Sequence, residues 1–248
     1  MQTYRIYPLV VGSKLFDKGM MTYQHDYGQE YTIPIYSWYI QGGDKQILVD
    51  TGEMQPIQSE ARQNAVGGRI VTLEQGLARF GLRPEDIDVV IHTHLHNDHC
   101  ENDFKCSNAR FYCHSQELES VHNPHPLDYR YLEDFIEDVE ENGQIEEVED
   151  GQEILPGISV LHTPAHTPGG LTVMIQTAKG LAAITGFCVI EENLFPPAQI
   201  TAMEMEVIPP GTVVNTYQAY DILLDVKKRA DILIPLHEPK FAAMEYIG

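Results

Sequence analysis

Residues 92–99 read HTHLHNDH, four histidines and one aspartate in eight positions, directly after the β-branched run DIDVVI (86–91). The run reads as a short strand that delivers the histidines at its C-terminal end. Alternate side chains of an extended segment share one face, so His94, His96 and Asp98 converge on one side. His99 follows at once and joins them only if the chain turns there. Imidazole and carboxylate are the donors that suit zinc, iron or manganese. More than a third of the chain's 11 histidines sit in this stretch, so a metal centre is the reading to test against the rest of the chain.

Three other stretches end strands in the same manner. VDTG (49–52) offers Asp50, HTPAHTPGG (162–170) offers His162 and His166, and IPLHEP (234–239) offers His237. Together with HxHxDH these resemble the metallo-β-lactamase superfamily of metal-dependent hydrolases, in the family's order and over nearly the whole chain. The HxHxDH run is the most specific mark, and AHTPGG is the second. The resemblance implies an α/β fold, a four-layer αββα sandwich, with a metal centre at one edge of the sheets. It implies that His94, His96 and His166 hold a first ion and that Asp98, His99 and His237 hold a second. Asp50 matches an aspartate that supports the site from nearby. His92 and His162 fall outside the ligand pattern and read as packing residues.

The similarity is nearest to the acyl-homoserine-lactone lactonase branch, through RIYPLVVG, IPIYSWYI…ILVDTG and ENLFPP (192–197). The pattern breaks at two positions. The family places a bridging aspartate on the strand after the AHTPGG segment, where this chain reads AAITGFCVIEEN. Counting from the glycine puts Phe187 there, and counting back from Glu192–Asn193 puts Gly186 there. The nearest donor is Cys188, whose thiolate would suit zinc; the alternative is a buried inert thiol. The branch's tyrosine falls on Val189 or Ile190. Tyr129 and Tyr131 lie in a lid-like stretch and read as surface aromatics.

The chain has 248 residues, 43% of them hydrophobic, with 19 Gly and 15 Pro, as expected of a folded, turn-rich protein. A net charge of −21, from 37 acidic and 16 basic residues, repels phosphate backbones and anionic lipid, which argues against nucleic-acid or membrane partners. No apolar run approaches the roughly 20 residues of a membrane span. The four cysteines, Cys100, Cys106, Cys113 and Cys188, show no CxxC pairing, which fits a reducing cytoplasm.

Strands are expected at TYRIYPLVV, IPIYSWYI, KQILVDTG, ARFYCH, EILPGISVLHTP, GGLTVMIQT, GLAAITGF and DILIPLH. Helices are expected at TLEQGLARFG, between a Thr72 cap and Gly81, at SQELESV, capped by Ser115, and at TYQAYDILLDVKKR. No linker divides the chain, so residues 1–248 read as one domain, with a candidate lid or insertion at about 115–145. Within it, Leu132, Phe135, Ile136 and Val139 share one helical face.

The expected activity is hydrolysis of a small carbonyl substrate (lactone, ester or thioester) by metal-bound hydroxide. Asp98 is the catalytic residue that orients the nucleophile and shuttles a proton. The expected cofactor is zinc, one or two ions per chain, with iron or manganese as alternatives. Five neutral imidazoles and one carboxylate neutralise two divalent ions poorly, so the second is expected to bind weakly unless Cys188 or an added anion compensates. Substrate choice is expected to lie in 115–145 and in the loop 191–212. The rival readings are a mononuclear iron oxidoreductase acting on a thiol or persulfide, and a non-catalytic metal-binding homologue. Oligomeric state is left open.

Overall fold

The computed structural model describes residues 2–248. Six strands form one sheet in chain order: β1 (Arg5–Asp17), β2 (Glu30–Gln41), β3 (Ile47–Val49), β4 (Val89–Ile91), β5 (Arg110–His114) and β6 (Ile145–Val148). Five form a second: β7 (Glu153–Leu155), β8 (Ile158–His162), β9 (Leu171–Thr177), β10 (Gly180–Ile184) and β11 (Ile232–Ile234), in spatial order β11-β10-β9-β8-β7. The first sheet is antiparallel from β1 to β3 and parallel from β3 to β6. The second is antiparallel except for the parallel pair β10–β11.

The layering follows from the period-two alternation of these strands. Ile47 and Val49 of β3, Val173 and Ile175 of β9, and Ala182 and Ile184 of β10 share one core between the sheets, with Tyr36 and Trp38. Their neighbours face outward. Leu48 and Val90 pack against Leu73, Leu77 and Val121 on one side. Met174 and Ala183 pack against Ala219, Leu223 and Val226 of the helix Thr216–Arg229 on the other. Helix, sheet, sheet, helix is the four-layer order expected. Among the described residues no helix is long and apolar enough to cross a membrane.

The helix Leu73–Ala78 starts on a capping box in which Thr72 accepts from Gln75 N–H and Gln75 returns the bond. Gly81, at φ +73°, follows its last turn. The next helix corrects the sequence reading. It spans Ser115–His122, and its cap is His114, whose ring accepts from Gln116 N–H, so Ser115 is already helical. Strand β6 carries no strand pattern in the sequence, because IEEV is an acidic edge strand in which only Val148 is buried. In the acidic stretch Ile136 and Val139 are buried, but Leu132 is 45% exposed and faces the cavity described below.

Candidate metal centre

Strands β3 and β4 run parallel, as do β10 and β11. The chain leaving each carries a predicted site residue: Asp50 after β3, the histidine run after β4, Cys188 after β10 and His237 after β11. Asp50 takes a left-handed backbone (φ +58°), a conformation aspartate tolerates better than most residues. Next to it Gly52, at φ +76°, has no room for a side chain, since a Cβ would meet Val11 Cγ2 at 2.0 Å. These constraints account for the DTG sequence.

His94, His96 and His166 are buried, and each offers a ring nitrogen within 4.8 Å of the others. Their ring centroids are 4.7–5.1 Å apart and their planes cross at 85–88°. The opposite nitrogens are tied down. Thr93 Oγ1 donates to Asp50 Oδ2 (2.7 Å) and therefore accepts from His94 Nδ1 (3.1 Å). His96 Nε2 donates to Asp128 Oδ2 (3.1 Å), and His166 Nδ1 to the Thr212 carbonyl (2.8 Å). The same holds for His99 Nδ1 on Asp50 Oδ2 (2.8 Å) and His237 Nδ1 on the Pro34 carbonyl (3.0 Å). Each anchored nitrogen carries the proton, so each opposite nitrogen keeps a lone pair for an ion.

Electrostatics support that donor state for four of the five. Burial, then neighbouring charges, holds His94, His96 and His166 below the ordinary imidazole value, and His237 at about 4. They are neutral ligands at neutral pH. Burial would also lower His99, but Asp50 and Asp98 outweigh it and hold His99 raised. Asp98, partly buried, is opposed by burial yet pulled below its ordinary value by His99, Lys14 and His237. A three-imidazole group of this closeness fits a divalent ion with an open position for water or substrate. Among the described residues it is the one group that closes to that spacing. Asp98, His99, His237 and Cys188 line the same cavity of about 470 Å³.

The structure also shows why no carboxylate stands where the family's bridge is expected. Gly186 is packed on the next strand, and a Cβ there would lie 1.8 Å from the Leu171 carbonyl oxygen. Phe187 is fully buried in the outer core. Only Cys188 faces the cavity, with its Sγ 3.7 Å from Met21 Sδ. Burial and then Asp98 push its thiol up to about 12. Val189 and Ile190, at the branch's tyrosine position, are buried in apolar clusters.

Two residues behave differently from the sequence reading. His92 is more than packing: its Nε2 lies 2.8 Å from Asp103 Oδ2 and its Nδ1 3.6 Å from Asp50 Oδ1. Despite the opposing effect of burial, Asp103 and Asp50 raise it to about 10, which favours the charged imidazole beside Asp50. Tyr131 is not a surface aromatic. It is buried against His96, with ring centroids 4.7 Å apart, and donates to Glu117 Oε2 (3.0 Å). Tyr129 is exposed, as read, at the cavity mouth. His162 lies away from the cluster and stacks on His114 at 4.0 Å.

Several site residues carried no sequence signal. Glu117 is buried and accepts from Leu95 N–H and Gly169 N–H, both at 2.9 Å, joining the loops of His94–His96 and His166. Arg130 and Asp128 reach two of the three imidazoles, His166 and His96. The apolar wall comes from Phe16, Met20, Ile33, Leu127 and Leu132, and of the loop 191–212 only Thr212 contributes. In a strand or loop such residues look like ordinary core.

The model of the family described as the metallo-beta-lactamase superfamily matches residues 31–186. An N-acyl homoserine lactonase of Bacillus cereus is 27% identical over 202 residues, 75% of this chain and 76% of the relative. N-acyl homoserine lactonase AiiB of Agrobacterium fabrum is 25% identical over 207 residues, 76% of this chain and 75% of its own. Among solved structures, an N-acyl homoserine lactone hydrolase with the product N-hexanoyl-L-homoserine at its catalytic metal centre has a TM-score of 0.76. It is 20% identical, and the match covers 100% of both chains. That level of identity speaks for the fold.

Proposed function

The chain belongs to the metallo-beta-lactamase superfamily, and from that premise we propose that it is a metal-dependent hydrolase of a small carbonyl substrate, a lactone, ester or thioester. The observation that carries the reading is the buried group of His94, His96 and His166, each fixed through its far nitrogen. The relatives named as N-acyl homoserine lactonases favour a lactone within that class. The absence of the branch's tyrosine, with Val189 and Ile190 buried in its place, leaves esters and thioesters beside it.

The three imidazoles would hold one divalent ion, zinc foremost, with iron or manganese as alternatives. When bound, such an ion polarises a carbonyl oxygen and makes water acidic enough to react near neutral pH. The chain's own residues do the rest. Asp98, held ionised by His99, Lys14 and His237, accepts the proton of the attacking water on its carboxylate and passes it to the leaving oxygen or sulfur. Phe16, Ile33, Leu127 and Leu132 shield the reacting carbonyl from bulk water. The segment 115–145 supplies part of this wall and serves as the lid. Asp98, His99 and His237 would hold a second ion more weakly, because Cys188 is the only donor where a carboxylate is expected. A thiol raised to about 12 gives up its proton reluctantly.

The test is the His94→Ala/His96→Ala double variant, measured for metal content and for hydrolysis of a lactone, ester and thioester panel. The expected result is loss of the first ion and loss of turnover. Full metal content with full activity in that variant overturns the assignment.

A further inference from the structure

Arg130 lines the same cavity as Cys188, the position where a carboxylate is missing. Two of its donors are committed: Nε to Asp128 Oδ1 at 2.7 Å and Nη2 to Asp128 Oδ2 at 2.9 Å. The same Asp128 receives His96 Nε2, so the fork is locked to the imidazole group. The Arg130 carbonyl accepts Asn97 N–H at 2.9 Å, which fixes the backbone to the turn of the histidine run. What remain are both N–H groups of Nη1 and one of Nη2, and Nη1 lies 3.5 Å from His166 Nε2, the nitrogen that faces the centre. The side chain is 31% exposed and therefore reachable from the cavity.

The surroundings make this guanidinium distinctive. Lys14, the other cation lining the cavity, is paired with Glu53 at 3.1 Å. Asp98 is the single carboxylate among the lining residues, since positions 186–188 supply none. The walls are Phe16, Met20, Ile33, Leu127 and Leu132. A protein of net charge −21 thus presents, beside its reaction centre, a preorganised guanidinium with unspent donors and an apolar approach. The side-on fork is spent on Asp128, which leaves the end-on pair of Nη1 and the second Nη2 N–H to take a carboxylate, an anion that guanidinium donors match well.

We propose that the substrate is an acid as well as an ester, lactone or thioester, and that Arg130 holds its carboxylate and so sets specificity. This rests on the hydrolase reading above. Binding through Nη1 places the anionic end against Arg130 and the apolar body along Phe16 and Leu132, with the scissile carbonyl at the imidazole group.

The test compares mono-4-nitrophenyl adipate with 4-nitrophenyl hexanoate, which differ in a terminal carboxylate, on the metal-loaded protein and its Arg130→Gln and Arg130→Lys variants. The wild type is expected to favour the adipate ester at least tenfold in kcat/KM, mainly through KM. Arg130→Gln brings the ratio close to one, and Arg130→Lys retains part of it. Metal content, measured for each protein, is expected not to fall. A wild-type ratio of one or below, or an unchanged ratio in Arg130→Gln, overturns the proposal. If neither ester is cleaved, the ester part of the hydrolase reading fails on its own account and calorimetry with adipate decides the carboxylate site. Adipate binding to the wild type that is lost in Arg130→Gln supports the carboxylate site, whereas absent or equal binding overturns it.

Discussion

Glu117→Gln is the substitution that most directly separates the loop architecture from the chemistry. Glu117 Oε2 accepts from Leu95 N–H and Tyr131 Oη, and Oε1 accepts from Gly169 N–H. An amide supplies one acceptor oxygen. Placed on Leu95 and Tyr131, it turns its NH2 toward Gly169 N–H, leaving a buried donor facing a donor. That unmade bond costs about 1–3 kcal/mol, and the other two fall from charge-assisted to neutral strength, about 1 kcal/mol each. Relief of the buried charge offsets part of this, for a net of about 3 kcal/mol. In a chain of this length that lowers Tm by roughly 6–12 °C. Leu95 sits between two predicted ligands and Gly169 three residues past a third, so metal affinity falls with stability. Tyr131→Phe removes one donor and leaves both backbone bonds, so it costs about 1 kcal/mol. Thermal melts and metal titration of both variants and their double mutant read the coupling. A Glu117→Gln melt within 1–2 °C of the wild type, with unchanged metal affinity, would refute the clamp.

Other outcomes follow from the strand end at 186–188. Gly186→Asp is expected to be unfolded, because its Cβ would meet the Leu171 carbonyl oxygen at 1.8 Å. Phe187→Asp empties a core position and buries a charge, a loss of more than about 4 kcal/mol. Cys188→Asp puts the carboxylate into the cavity, and elemental analysis should show two ions per chain where the wild type holds fewer; no gain would sink this. In metal-free protein, Asp50, drawn by His99 and His92 from 3.8 to about 2 against burial, contributes roughly 2 kcal/mol. That contribution is present above pH 3.8 and lost as pH falls through 2. His92, raised from 6.5 to about 10, contributes fully below pH 6.5 and loses its contribution as pH rises through 10. A Tm unchanged between those two pH values would contradict the His92 assignment. Thr72→Ala removes half of a capping box and should cost about 1 kcal/mol, read as a Tm fall of 2–4 °C.

The parts of the site legible in the sequence are those made of rare residue types at short spacing. HTHLHNDH places four ligand candidates, His94, His96, Asp98 and His99, within six residues, and His166 and His237 each end a recognisable strand. The layers were legible too, because β3, β9 and β10 alternate between two cores. What stayed hidden depends on partners distant in sequence. Glu117 on the helix Ser115–His122 looks like a solvated face until Leu95 and Gly169 are placed on it. Arg130 looks like surface charge until Asp128 turns it inward. Phe16 and Ile33 read as core because a strand end beside a cavity has the same composition as one beneath a helix. Strand β6 has too many glutamates to show a strand pattern, yet edge position leaves them in water.

On the proposed metal reading, the anchored imidazoles would divide control of metal exchange between two parts of the molecule. Their rings are oriented when the chain folds, so an arriving ion meets lone pairs already aimed and waits on no rotamer search. Loading speed is therefore governed by encounter, and an envelope of charge −21 gathers divalent cations around it and is weakened by added salt. Departure breaks bonds inside a buried pocket, where mobile ions screen little. Ionic strength should thus slow capture while leaving release nearly untouched, which gives the protein an affinity set by its surroundings and a residence time set by its fold.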